Sequence, residues 1–314
     1  MTRAFITGIG GQDGGYLAER LLAEGVEVHA LAHEQEPLPE APGVELHSGD
    51  LTRVEEVRAL LLDLAPDEVY NLAAISSVAR SWGQPDLTAQ VNGTAAVALM
   101  ESALQVQEKR GSRVRLVQAS SAEIFGQPDV TPQDESTTIR PVNPYGAAKA
   151  YAHLSADVYR GRDLHVVSAI LYNHESPRRP ATFVTRKITS TVAALATGWD
   201  GRLTLGNLDA RRDWGWAPDY VDALVRAARA DVPGDFVIAT GVGHSVRDFA
   251  AAAFRRAGID DWEGLVDSDP GLVRPADPSE LVGDASRARE HLGWAPTVDF
   301  EELVGRMVDA DLGR

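Results

Sequence analysis

Cysteine is absent from these 314 residues, which excludes disulfides, thiolate nucleophiles and cysteine-ligated zinc together. Lysine is almost absent: Lys109, Lys149 and Lys187 stand among 27 arginines. Where a generic cation is needed this chain uses Arg, so each remaining Lys raises a question, because a compact ammonium shifts its pKa more readily than a guanidinium. No apolar run reaches 18 residues, and the opening MTRAFITGIG lacks the layout of a secretory leader. Positive charge is scarce too. The net charge is −16, the pI is near 4.9 and no Lys/Arg-rich block occurs, which argues against a broad phosphate-backbone surface. What is present, 44% apolar and 24% charged residues, has the balance of an ordinary globular protein. A cytoplasmic chain with no nucleic-acid or membrane partner and no metal is the expectation.

The first 30 residues read strand, glycine turn, helix, strand. Ala4-Phe5-Ile6 is a short apolar run, Gly8, Gly11 and Gly14 follow at three-residue spacing, and Tyr16–Leu22 has helical spacing up to Gly25. Val26–Leu31 reads as the next strand. The alternation continues with a helix over Val54–Asp63, a strand over Glu68–Leu72 and one long helix over Leu87–Glu108. Then come a strand at Val114–Ala119, a helix at Tyr145–Arg160 and a strand at Leu164–Leu171. Such alternation predicts an α/β fold, a Rossmann-type doubly wound parallel sheet covered on both faces. Beyond Tyr172, Pro177, Pro180, Pro218, Pro275 and Pro278 interrupt the pattern. Helices at Thr185–Thr197, Val246–Ala257 and Asp299–Asp311 and a strand at Phe236–Ala239 still stand out. The expected division is a dinucleotide-binding domain over 1–171, rejoined by strands near 216–242, and a smaller substrate-binding subdomain from 172–215 and 243–314.

Glycines between a first strand and its helix let a backbone approach a pyrophosphate at the positive end of the helix. This turn, Gly8 through Gly11, Gln12, Asp13 and Gly14, is therefore a candidate dinucleotide site; a bare tight turn is the alternative. Asp50 in Gly49-Asp50-Leu51-Thr52 suits an adenine contact or, equally, a helix cap. After the second strand the segment reads Ala32-His33-Glu34-Gln35-Glu36, with no Arg before Arg53. A carboxylate there suits the ribose 2′-hydroxyl of NAD, whereas a 2′-phosphate wants Arg, which Arg53 would supply if it folded back.

The strand at Val114–Ala119 runs into Ser120-Ser121-Ala122-Glu123. If the chain stays extended, Ser121 and Glu123 project to one side. Tyr145 and Lys149 lie four apart on one helix face. A chance Tyr-x-x-x-Lys is expected only about 0.07 times in a chain this poor in both residues. A phenol beside an ammonium is the pairing that takes a proton from an alcohol during hydride transfer. Glu123 adds a base able to remove the proton next to a new ketone, although a solvated loop acid is its bland alternative.

These residues resemble the extended short-chain dehydrogenase/reductase superfamily and, within it, the GDP-mannose 4,6-dehydratase family. The matching stretches are TGIGGQDGGYLAE, GDLT, PDEVYNLAA, QASSAEIFG, NPYGAAKAYAH, NHESPRR, FVTRKIT, LGNLDARRDW, and VRP followed by LVGD. TGxxGxxG and YxxxK mark the superfamily; the later, longer stretches are much more specific. The resemblance implies a redox-neutral dehydration of a GDP-sugar to its 4-keto-6-deoxy form, with NAD(P) tightly bound and recycled. It assigns catalysis to Ser121, Glu123, Tyr145 and Lys149. Cofactor binding falls to the glycine turn, Asp50, Leu51, Leu72, Ala73 and Ala74, together with Tyr145 and Lys149. The GDP-sugar falls to Asn173, Val184, Arg186, Lys187, Arg212 and Arg274, with Asp277 on the guanine. Read without the family, Arg186-Lys187 is equally a solvated helix face. The family's Arg pair after the second strand, which holds NADP and joins a tetramer, is His33-Glu34 here, in a shorter segment. Trp216, Ala122 and Asp277 depart from the family's His, Ser and Glu. The helices near 87–108 and 145–160 resemble the superfamily's dimer helices, so a homodimer is expected. A nucleotide-sugar 4-epimerase or 4-reductase is the alternative activity, but such relatives generally lack the acid at position 123. A non-catalytic scaffold is disfavoured by the complete Ser, Tyr and Lys set.

Overall fold

Ala4, Phe5 and Ile6 are fully buried in strand β1 (Arg3–Thr7), a continuous apolar run suited to a strand covered on both faces. The computed structural model describes residues 1–34, 40–272, 276 and 278–314. After β1 come α1 (Gln12–Ala23), β2 (Glu27–His33), β3 (Glu45–Gly49), α2 (Val54–Leu64) and β4 (Glu68–Asn71). Then follow α3 (Val78–Gly83), α4 (Pro85–Ala89), α5 (Ala95–Arg110), β5 (Arg115–Ser121), α6 (Pro144–Arg160) and β6 (His165–Leu171). The second half adds β7 (Asn173–Glu175), α7 (Val184–Ala196), β8 (Leu203–Leu205), β9 (Arg211–Trp216), α8 (Ala217–Ala228) and β10 (Asp235–Ile238). It ends with β11 (Gly243–Ser245), α9 (Val246–Arg256), β12 (Val266–Ser268), β13 (Glu280–Leu281), α10 (Ser286–Leu292) and α11 (Phe300–Asp311).

Among the described residues, seven parallel strands form the main sheet in the order β10, β6, β5, β4, β1, β2, β3. The order reverses between β1 and β4, which opens a crevice beyond their carboxyl ends, where open α/β sheets bind ligands. A buried polar chain crosses the strands just beneath it. The Thr7 hydroxyl donates to Asn71 Oδ1 at 2.7 Å, and Asn71 Nδ2 donates to Gln118 Oε1 at 2.7 Å. One face of the sheet packs on α1, α8 and α10 through Leu17, Tyr220 and Leu292; the other packs on α2, α5 and α6 through Leu61, Leu99 and Ala156. Full burial of each large side chain contributes about 1.5–3 kcal/mol.

A four-stranded sheet of β7, β9, β11 and β13, with α7, α9 and α11, builds a smaller core around Trp214, Phe249 and Val304. Residues 285–294 lie within the stretch assigned to this part, yet Ala288, Leu292 and Trp294 pack on the main sheet. At the amino-terminal end of the main sheet His29 is already partnered, with Nδ1 3.0 Å from His47 Nε2 and Nε2 2.9 Å from Glu27.

Two expectations change. The single helix over 87–108 is instead α4, a wider π turn at Gln90–Thr94 and α5, preceded by the separate α3. The extra residue per turn fits Asn92, whose amide pairs with both the N–H (2.8 Å) and C=O (3.0 Å) of Ile75 in the loop after β4. Pro218, read as an interruption, sits in the first turn of α8, where its missing N–H costs nothing. Among the described residues no helix is long and apolar enough to cross a membrane.

Candidate active site

Gly8 has φ +79°, and a Cβ at Gly14 would lie 2.2 Å from the Gly8 carbonyl oxygen. Only glycines allow α1 to begin this close to β1, with its amino-terminal N–H groups facing the crevice. The turn therefore has the shape that a pyrophosphate needs. Leu72 and Ala74, beyond β4, line the same opening, while the Ala73 N–H points back to the Thr7 hydroxyl at 3.1 Å. Asp50 Oδ1 accepts from both the N–H and the hydroxyl of Thr52 at 2.8 Å, so it braces its own loop beside the buried Leu51.

Gln12 and Asp13 have a partner that their spacing did not reveal. Gln12 Nε2 donates to the His174 carbonyl at 3.1 Å, and the Ser176 hydroxyl donates to Gln12 Oε1 at 2.8 Å. His174 Nε2 lies 2.8 Å from Asp13 Oδ2, and its Nδ1 lies 2.8 Å from the Tyr172 carbonyl. Burial raises the Asp13 carboxyl, but the facing His174 outweighs it, and the net shift is downward. Burial lowers His174, and Asp13 more than offsets that, so the imidazole is shifted upward. An imidazolium–carboxylate pair thus ties the glycine turn to β7.

Ser121, Glu123, Tyr145 and Lys149 are all buried and line one cavity of about 420 Å³. The route differs from the extended chain expected. Residues Ala122–Ile124 form a 3₁₀ turn, capped by Ser121, whose hydroxyl accepts the Glu123 N–H at 3.2 Å. Ser121 and Glu123 reach the cavity because the turn curls the chain over the end of β5. Burial pushes the Tyr145 phenol up to about 12; the Ser121 hydrogen bond pulls the other way and the Glu123 charge adds to the rise. Burial also brings the Lys149 ammonium down to about 8, opposed by Asp13. Lys149 Nζ donates to the Ala119 carbonyl at 2.8 Å and stands 5.9 Å from the Tyr145 ring centre. Without a bound positive charge the phenol keeps its proton at neutral pH; a cationic ring in the crevice is what would release it.

The first turn of α6 is fully accounted for. Pro144 has no N–H, the Tyr145 N–H goes to the Ser81 hydroxyl at 3.3 Å, and the Gly146 N–H goes to Asn143 Oδ1 at 2.7 Å. Tyr145 therefore stands on a fixed helix start, and α3 exists partly to supply Ser81.

Asn173, Val184, Lys187 and Arg212 line the same cavity, at its far side. Arg212 is buried, with Nη1 donating to the carbonyls of Arg211 (2.7 Å) and Pro278 (2.9 Å). Arg186, by contrast, is not part of the lining: its guanidinium pairs with Asp311 and donates to the Pro177 carbonyl at 3.2 Å, clamping α11 to α7. On a helix, neighbours point about 100° apart, and here Lys187 turns toward the cavity while Arg186 turns toward α11. Arg274 and Asp277 lie outside the described residues. Arg179, which the sequence reading passed over, lines the cavity, held by Glu175 at 3.2 Å and stacked 3.8 Å over the Phe183 ring. Its signal was present in NHESPRR, but Arg178 and Arg179 look alike without the fold. Arg53 folds back onto Glu34 as a fork-to-carboxylate pair, beside His33 at the end of β2. A larger hollow of about 630 Å³ between β11 and α11 contains none of these predicted residues.

The family model described as GDP-mannose 4,6 dehydratase matches residues 5–307. The chain belongs to that family. GDP-mannose 4,6 dehydratase 2 of Arabidopsis thaliana is 43% identical to it, covering 98% of this chain and 86% of its own length. The Homo sapiens GDP-mannose 4,6 dehydratase is 40% identical, over 98% and 91%. Among solved structures, the Thermus thermophilus UDP-glucose 4-epimerase in complex with NAD superimposes with a TM-score of 0.84 at 28% identity, covering 99% of each chain. The chain is thus a member of a nicotinamide-dependent sugar dehydratase family.

Proposed function

We infer that this protein dehydrates GDP-mannose, or a close GDP-sugar, to the 4-keto-6-deoxy sugar without net oxidation. The observation that carries this reading is a buried carboxylate, Glu123, in the same cavity as the Ser121, Tyr145 and Lys149 set. Tyr145 takes the proton from the sugar 4-hydroxyl, Lys149 stabilises the phenolate, and Ser121 hydrogen-bonds the same sugar oxygen. Once C4 is a ketone, the C5 proton is acidic. Glu123 removes it, the C6–O bond breaks, and the hydroxyl leaves as water with the proton that Glu123 carried. A dinucleotide, which Gly8, Gly11, Gln12, Asp13, Gly14, Asp50, Leu51 and Leu72–Ala74 would hold, would supply the chemistry of storing the C4 hydride and returning it to C6, while Glu123 passes a solvent proton to C5 and Tyr145 gives its proton up to solvent.

Glu34 and its partner Arg53 favour NAD over NADP, since the nearest guanidinium is already engaged and a 2′-phosphate would meet a carboxylate. Apart from Lys149, the Lys and Arg cations that line the cavity among the described residues are Lys187, Arg212 and Arg179, which would face a sugar diphosphate beside Asn173 and Val184. Arg274 and Asp277 complete the set by family resemblance. The division of labour follows the two cores, the main sheet holding the dinucleotide and the smaller core the GDP-sugar.

We also infer a homodimer. Ala147, Tyr151, Leu154 and Val158 form an exposed apolar stripe along α6, with Tyr151 52%, Leu154 56% and Val158 65% exposed. Such a stripe on a helix is a surface that wants a partner.

Incubation with GDP-mannose, UDP-glucose and dTDP-glucose, followed by product mass, tests the activity. Loss of one water from GDP-mannose without accumulation of reduced cofactor supports it. Stoichiometric reduced cofactor, or an isomer of unchanged mass, rejects it in favour of a reductase or epimerase.

A further inference from the structure

An asparagine amide has one accepting and one donating end, and at Asn143 the first is already committed. Its Oδ1 accepts the Gly146 N–H at 2.7 Å as the cap of α6. Because a backbone N–H can only donate, the amide cannot be flipped, and its Nδ2 must face the other way. There it donates to Glu123 Oε2 at 2.8 Å, with both residues buried. The contact is tight on the backbone side too, since a Cβ at Gly146 would lie 2.5 Å from the Glu123 carbonyl oxygen.

We propose that Asn143 is the positioning residue for Glu123, holding one carboxylate oxygen so that the group faces the substrate's C5. The proposal rests on the dehydratase reading above and extends it to a residue outside the cavity lining. A single side chain then starts the helix that carries Tyr145 and aims the carboxylate used in the next step. The two proton-transfer groups are thereby fixed relative to each other, although they come from different elements. A hydrogen bond to an ionised carboxylate is among the stronger ones, and a misplacement of about 1 Å at a reacting group costs on the order of 10²-fold in rate.

Two variants separate aiming from mere structure. Asn143→Ser keeps a capping oxygen but is too short to donate to Glu123, and Asn143→Asp keeps the cap while turning an acceptor toward the carboxylate. Both should still melt cooperatively, at a lowered midpoint because a buried hydrogen bond to Glu123 is lost, and should keep the rate at which GDP-mannose reduces the bound cofactor in a single turnover. Water loss should slow by about 10²-fold, with reduced cofactor and 4-keto-mannose nucleotide building up. Deuterium at C5 should then produce a larger isotope effect than in the wild type, because C5 proton removal has become limiting. Elimination at the wild-type rate in Asn143→Ser, or equal slowing of both steps in the two variants, would overturn the assignment while leaving the dehydratase reading intact. If the wild type itself forms no keto sugar from GDP-mannose, both fall.

Discussion

At Lys149, function and stability pull apart. Its ammonium is brought from 10.5 down to about 8 by burial, so the folded state carries a penalty of about 3 kcal/mol at neutral pH. The unfolded chain binds more protons between pH 8 and 10.5, so this penalty is full below about pH 8 and fades as pH rises toward the unfolded value. Lys149→Met should therefore raise stability by about 1–2 kcal/mol at pH 7, after allowing about 1 kcal/mol for the lost bond to the Ala119 carbonyl. Urea denaturation of both proteins at pH 7 and pH 10 checks this, the gain shrinking at the higher pH, and the variant should be inactive. Glu123→Gln should leave cofactor reduction by GDP-mannose in place and cut water loss by about 10²–10⁴-fold. Tyr145→Phe should impair the earlier step; full product from the Gln variant would remove Glu123 from the chemistry. Glu34→Arg should release Arg53 and move bound cofactor from NAD toward NADP, read by mass after acid release.

Among the elements, the joint between α1 and β7 matters most. Gln12 and Asp13 clasp His174 and Ser176, so the glycine turn is tied to the first strand of the smaller sheet and the residue after it. The sign of the two shifts defines a window. Asp13 is lowered, so its contribution is present above its unfolded value and lost as pH falls through the folded one. His174 is raised, so its contribution is present below about 6.5 and lost as pH rises through its folded value. The pair is strongest between the two folded values. Asp13→Asn should cost about 2 kcal/mol near pH 6 and weaken cofactor retention, measured by denaturation and by cofactor content after gel filtration. The bounds of α6 and α11 were legible because both are amphipathic and start at side-chain caps, Asn143 and Asp299, whereas α1 begins at Gln12, four residues before the periodic stretch from Tyr16, inside the glycine turn. The π turn at Gln90–Thr94 was not legible, since Asn92 reaches for a loop distant in sequence. Likewise, Ser121 and Glu123 were legible as a pair, but the 3₁₀ turn that joins them was read as extended backbone.

For the whole molecule, the exposed α6 stripe makes assembly the test. Leu154→Glu combined with Val158→Glu should convert a dimer to a monomer in light scattering, with little change in circular dichroism because both positions are solvent-facing here. A wild-type monomer at micromolar concentration would reject the interface. The high arginine count also resolves at this scale: most guanidiniums tie elements together, as Arg229 ties α8 to Glu24 and Glu68 and Arg186 ties α7 to α11.

The chain's order of strands, helices and glycines determined the parallel sheet and the location of its crevice, because periodicity and turn chemistry act over a few residues. The same local logic put Tyr145 and Lys149 on one helix face. Which cations face the cavity was decided only by the folded chain: Lys187 and Arg179 do, and Arg186 does not. So were the pairing of Asp13 with His174 and the aiming of Glu123 by Asn143. These depend on contacts between residues 20 to 161 positions apart, and no local pattern encodes which way a side chain turns when two distant elements meet.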